Sequence, residues 1–97
     1  MNSVRLDGKL SGLCPLRYSP AGIPIMEFRL THASIQKEGA TERKVEFDME
    51  GMAVSDMAIG LSNLQEGRLV RLEGFLNRKS HRNKAIVLHV NHFELIG

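Results

Sequence analysis

One hairpin sets the architecture of this chain: Leu16-Arg17-Tyr18-Ser19-Pro20-Ala21-Gly22-Ile23-Pro24-Ile25-Met26-Glu27-Phe28-Arg29-Leu30-Thr31-His32. The four residues from Ser19 to Gly22 are typical of a type I turn, because proline takes the second position and glycine the fourth. Pro24 has no N–H to donate to a sheet, which suits it to the first position of a strand. Beyond it, Met26, Phe28 and Leu30 alternate with polar residues, and this period of two predicts a half-buried strand.

The same period recurs along the rest of the chain and predicts five strands. They span about residues 3–13, 25–35, 43–52, 68–78 and 85–96. In the third strand Val45, Phe47 and Met49 share one face, which we expect to be buried, whereas Glu46 points outward. Phe28, in the second strand, is likewise expected in the core.

Residues 55–64 change to a helical period, and Ser55 or Asp56 can cap the first turn. We therefore expect one short helix or turn between the third and fourth strands. A chain of 97 residues is too short to cover both faces of an open five-stranded sheet. Closure removes the exposed edges, so the sequence predicts an all-β, five-stranded OB-fold barrel with residues 1–97 as a single domain.

The composition limits where the protein works. No apolar run approaches the roughly 18 residues that span a bilayer, and the first residues do not resemble a signal peptide. Cys14 is the only cysteine, which excludes an internal disulfide and fits a reducing compartment. We expect a cytoplasmic protein that does not associate with a membrane.

The formal net charge of +2 is unevenly distributed along the chain. Residues 42–66 carry six acidic and two basic side chains, whereas residues 68–84 carry six basic side chains and one acidic. The loop at 79–84 joins the fourth and fifth predicted strands, and in an OB-fold that loop borders the oligonucleotide-binding face. Such a segment on a near-neutral chain indicates a local polyanion site, and an unliganded, solvated face is the other interpretation.

Catalysis and metal binding are not indicated. The nucleophile-elbow, P-loop and dinucleotide-binding patterns are absent, and the carboxylates of the third strand alternate on its outer face, where solvation is their ordinary role. His89 and His92 are three residues apart, so a strand places them on opposite faces. We expect no enzymatic activity, no cofactor and no metal.

Six segments of the chain together carry the sequence pattern of a known protein family. They are Pro15-Leu16-Arg17, Ser19-Pro20-Ala21-Gly22-Ile23-Pro24, His32-Ala33-Ser34-Ile35-Gln36, Glu73-Gly74-Phe75-Leu76, Val87-Leu88-His89 and Phe93-Glu94-Leu95-Ile96. Over nearly the whole chain, this pattern resembles the bacterial primosomal replication protein N family, PriB. The resemblance implies a homodimeric OB-fold protein that binds single-stranded DNA. It also implies a role in replication restart at stalled forks, with the PriA helicase and other primosome proteins as partners and with no catalytic activity or cofactor.

The predicted nucleic-acid surface combines the first hairpin, the third strand and the basic loop. Its residues are Arg17, Tyr18, Lys44, Arg78, Lys79, His81, Arg82 and Lys84. The resemblance assigns Lys79, Arg82 and Lys84 to the DNA-binding surface. Phe75 has the parity opposite to its apolar neighbours, so we expect it to face outward, for base stacking or for a dimer interface.

Two departures from the family pattern keep other functions open. Family members can carry a stacking tryptophan in the third strand, where this chain has Glu46, and an aromatic residue near the positions of Ala40 and Thr41. A carboxylate on a DNA-binding face repels phosphate. The alternatives are a protein–protein adaptor with little DNA affinity of its own and an RNA-binding OB-fold protein.

Overall fold

The computed structural model describes residues 1–97 and contains six strands and one helix. They are β1 (Val4–Leu13), β2 (Arg17–Tyr18), β3 (Pro24–Glu38), β4 (Thr41–Val54), α1 (Ser55–Ser62), β5 (Leu69–Arg78) and β6 (Ile86–Leu95). All six strands form one sheet in the order β1-β5-β6-β4-β3-β2, and an additional pairing between β1 and β3 closes it. The five long strands are therefore the predicted OB-fold barrel, with β2 as an extra strand.

β2 was not predicted from the sequence, and its presence changes the position of the helix in the strand order. Arg17 and Tyr18 pair with Ile25 and Pro24 at the start of β3. The helix consequently lies between the fourth and fifth strands, and its predicted place between the third and fourth is wrong. A two-residue strand is too short to show a period of two.

The turn between β2 and β3 forms where the sequence predicts it. The N–H of Gly22 donates to the carbonyl of Ser19 at 2.8 Å, and the Ser19 hydroxyl accepts from the N–H of Ile23 at 3.1 Å. Gly22 has a φ of 82°, which glycine adopts without the steric penalty that other residues meet.

The start of α1 differs from the prediction. Val54 is the N-cap, with an extended backbone, and no side chain caps the helix. The expected capping by Ser55 or Asp56 is wrong, because β4 runs directly into α1 and Ser55 turns the chain instead. Ser55 has a φ of 56°, in the left-handed region that is uncommon for residues other than glycine.

The core fills the barrel between the sheet and α1. Its buried residues are Leu10, Met26, Phe28, Leu30, Ala53, Ala58, Leu61, Val70, Leu72, Leu88 and Val90. Phe28 is buried as predicted, and its ring lies so close to Gly51 on β4 that any Cβ there would collide with it. Glycine at this position lets β4 pass over the ring.

Beyond the barrel, β3 and β4 continue as a two-stranded arm (residues 32–47). The pairing of β3 with β1 stops at Thr31, whereas the ladder between β3 and β4 runs on to the tip of the hairpin. Phe47 lies on the arm and is 40% exposed, so the prediction that it is buried is wrong. Its parity is that of the core face, but no third strand covers the arm there, and its ring contacts His32 instead.

Candidate nucleic-acid interface

A groove of about 580 Å³ crosses the outer face of the barrel. Three cationic residues line it: Arg17 on β2, Arg29 on β3 and Lys79 at the start of the loop between β5 and β6. Arg17 and Arg29 belong to one hairpin, whereas Lys79 lies 50 residues further along the chain, so the tertiary structure is needed to bring Lys79 beside them.

Carboxylates in the groove pair with two of the three cations. A nitrogen of the Arg17 guanidinium lies 3.3 Å from Glu27 Oε1, and Lys79 Nζ lies 3.9 Å from Glu50 Oε2. Both pairs are solvent-exposed, and such pairs contribute little to stability, so their cations can exchange partners at low cost. Arg29 is the β3 neighbour of Glu50 but forms no salt bridge with it.

The basic loop (residues 79–84) is a compact turn held by its own polar side chains. The N–H of Lys79 donates to the carbonyl of Ala85 at 2.8 Å. The Ser80 hydroxyl accepts from the N–H of Asn83 at 2.9 Å, and Asn83 Oδ1 accepts from the N–H of Ala85 at 3.0 Å. These bonds order the backbone, and the side chains of Arg82 and Lys84 form no salt bridge and are exposed to a ligand.

The structure brings part of the predicted surface together. Arg17 and Lys79 line the groove, and Arg78, the last residue of β5, adjoins Lys79. Tyr18 is exposed beside Arg17 on β2. The remaining loop residues of the prediction do not line the groove, but they are exposed and adjoin Ser80 and Asn83, which do: His81, Arg82 and Lys84.

Lys44 does not belong to the groove. It lies on the arm, where Lys44 Nζ is 3.2 Å from Glu46 Oε1 and both side chains are largely exposed. Glu46 faces outward as predicted. Any nucleic acid that reaches Lys44 therefore has to extend from the groove along the arm and past this carboxylate.

Arg29 and His89 line the groove but were not predicted as site residues. Arg29 has the parity opposite to Met26, Phe28 and Leu30, and the nucleic-acid face of an OB-fold is the outer side of its central strands. That alternation indicated that Arg29 lies on the nucleic-acid face. His89 carried no comparable signal, because its place depends on the pairing of β6 with β4.

A second polar cluster links β1, β5 and the base of the arm. Arg71 donates to both carboxylate oxygens of Asp7, at 2.5 and 2.8 Å, and this holds the pKa of Asp7 below its ordinary value and raises that of Arg71. The His32 ring contacts the Asp7 carbonyl through Nδ1 at 2.6 Å and the Ser34 hydroxyl through Nε2 at 2.8 Å. With every member paired, this cluster serves the structure and not ligand binding.

Two further observations describe the chain as a whole. No three His, Cys, Asp or Glu side chains lie together in an arrangement that could hold a metal ion. The one helix of the chain, α1, is too short to cross a bilayer.

The groove lies on an OB-fold barrel, a fold found in many proteins that bind single-stranded nucleic acids. Residues 2–92 match a family model described as "another single-strand binding protein family". The chain is also 35% identical, over 95 residues, to the replication restart protein PriB of Nitrosomonas europaea, covering 98% of this chain and 88% of the relative. It belongs to the PriB family of replication restart proteins.

Solved structures give the same picture. PriB from Ralstonia solanacearum superposes with a TM-score of 0.90 at 35% identity, covering 98% of this chain and 97% of that one. The single-stranded DNA binding protein from Thermus aquaticus superposes with a TM-score of 0.81 at 24% identity. That match covers 100% of this chain and 50% of the other, and it shows a shared fold.

Proposed function

We propose that this protein binds single-stranded DNA as a non-enzymatic accessory factor of the replication-restart primosome. In this role it assists the PriA helicase and primosome assembly at stalled forks, and it acts in the cytoplasm as a homodimer of one OB-fold domain, residues 1–97. The observation that carries the proposal is the groove, in which Arg17, Arg29 and Lys79 meet beneath the basic loop. Membership of a family named for replication restart supports the cellular role.

Binding in this groove is an exchange of partners. Arg29 has no carboxylate partner and offers its charge directly to a phosphate, whereas Arg17 and Lys79 first have to leave Glu27 and Glu50. Each phosphate contact releases counterions, and this makes the affinity fall with salt. The basic loop adds two further exposed cations, Arg82 and Lys84, next to residues that line the groove.

A protein–protein adaptor is the second candidate. It is favoured by the same two ion pairs and by Glu46, which places a carboxylate on the outer face of the arm. A groove of paired charges suits a protein partner with charges of both signs better than it suits a bare polyanion. In that case, binding energy would come from the helicase and not from DNA.

Titration of a labelled oligothymidine into the protein, at about 50 mM and about 200 mM salt, separates the two candidates. We expect saturable binding that weakens as salt rises. Absence of binding at the lower salt concentration would overturn the DNA proposal in favour of the adaptor. Tighter binding to an oligouridine of the same length would instead identify an RNA-binding protein.

A further inference from the structure

A row of side chains leads from the groove onto β5. The strand register pairs Glu27 with Met52, Met52 with His89, and His89 with Phe75. Directly paired residues of neighbouring strands share one face of a sheet, with their Cβ atoms roughly 5 Å apart. The groove is thus continuous with the outer face of β5.

At the end of this row two rings form a rigid pair. The Phe75 and His89 rings are stacked, with 5.1 Å between their centroids and 3° between their planes. Phe75 is 41% exposed, whereas His89 Nε2 is buried and has no hydrogen-bond partner. Aromatic pairs favour such offset stacking. His89 therefore supports one face of Phe75 and leaves the rest of that ring to the solvent.

The backbone beneath the pair is also fixed. The register between β5 and β6 shifts between Glu73 and Gly74, and a Cβ on Gly74 would collide with the carbonyl of His89. Glycine at this bulge brings the two strands close together. Phe75, the next residue, consequently projects from a well-defined position.

The other aromatic side chains do not provide such a platform. Phe28 is buried and Phe93 packs against the core, while Phe47 lies on the opposite face of the sheet from the groove. Tyr18 is exposed but stacks on no other ring. Single-strand binders gain affinity from bases that stack on aromatic rings, and Phe75 is the ring that continues the groove.

We propose that Phe75, supported by His89, is a base-stacking position for single-stranded DNA that leaves the groove across β6 and β5. The proposal rests on the proposed function. Lys79, which lines the groove, follows Phe75 by four residues and shares its parity, about 13 Å along an extended strand, so the phosphates of a stacked nucleotide stay near a basic side chain.

The chain has no tryptophan, which makes a direct test possible. The Phe75→Trp variant carries a single tryptophan, and we expect saturating oligothymidine to quench the emission of that tryptophan. The matched control is Phe47→Trp, since Phe47 is equally exposed and also contacts a histidine, but lies on the other face of the sheet. Emission from the control should not change.

Affinity provides the second measurement. We expect Phe75→Leu to weaken oligothymidine binding about tenfold, and Phe47→Leu to change it by less than about twofold. An unquenched Phe75→Trp variant that binds as tightly as the wild type would overturn the stacking proposal. So would a Phe75→Leu variant that changes the molecular mass in solution but not the affinity. If the wild-type protein itself does not bind DNA, the proposed function fails together with this inference.

Discussion

Lys79 Nζ lies 3.9 Å from Glu50 Oε2, so the first cation of the basic loop faces a carboxylate of the groove. Lys79 directly follows the last residue of β5, while Glu50 lies on the outer face of β4. Their pairing, with that of Arg17 and Glu27, makes the groove nearly self-neutralised. A phosphate therefore has to displace these carboxylates to reach the two cations.

Replacing Glu50 with Gln should tighten the binding of single-stranded DNA several-fold. The change removes the carboxylate that a phosphate has to displace from Lys79, while the number of phosphate contacts, and with it the slope of log affinity against log salt, should stay the same. Fluorescence anisotropy over a range of salt concentrations measures both quantities. Glu42→Gln is the matched control, because Glu42 lies at the tip of the arm, outside the groove. Equal effects of the two variants would show that only net charge matters.

Replacing Lys79, Arg82 and Lys84 together with Ala should weaken binding and flatten the salt slope by about 2, since three phosphate contacts are lost. All three side chains lie on the surface of a loop whose backbone is held by Ser80 and Asn83, so the fold should be retained. The same anisotropy titration measures the slope. An unchanged slope would remove the basic loop from the site.

Glu46→Trp should bind single-stranded DNA about tenfold tighter. The substitution removes a carboxylate from the outer face of the arm and adds a stacking surface worth roughly 1–3 kcal/mol per base. Glu46→Gln is the control that removes the charge without adding a ring. Stability should change by no more than about 0.5 kcal/mol, because the site is exposed and its ion pair with Lys44 is solvated. A folded variant with wild-type affinity would mean that DNA does not reach the arm.

The ion pair of Asp7 and Arg71 should make stability depend on pH in acid. Because Arg71 holds the pKa of Asp7 below its ordinary value of 3.8, the carboxylate stabilises the folded protein above that pH. This contribution is lost as pH falls through the lowered pKa of the folded state. Asp7→Asn should therefore be less stable than the wild type at neutral pH, and the difference should shrink below pH 3.8.

Chemical denaturation of both proteins at several pH values measures this difference. The control is the same substitution in an Arg71→Ala background, where Asp7 has lost its main partner. The pH dependence attributable to Asp7 should be much smaller there. If Asp7→Asn destabilises the protein equally at every pH, the ion pair is not the cause.

Much of the fold followed from local sequence patterns. The period of two beginning at Met26, the proline and glycine of the Ser19–Gly22 turn and the change of period at Ser55 predicted the long strands and the helix to within a few residues. Such patterns are readable because neighbouring side chains on a strand alternate between core and solvent. The outward direction of Phe75 followed from the same rule, and the basic loop was visible as a cluster of charges.

Contacts between strands depended on the tertiary structure. Phe47 has core parity yet stays exposed, because the pairing of β3 with β1 stops before it reaches the arm. Two other contacts likewise require a particular register between strands that are far apart in sequence. They are the ion pair of Lys79 with Glu50 and the stacking of Phe75 on His89. The position of a residue in the alternating pattern determines which face of the strand its side chain lies on. Barrel closure and strand register determine which side chains surround it on that face. Those neighbours determine whether a charged side chain is already paired or is available to bind DNA.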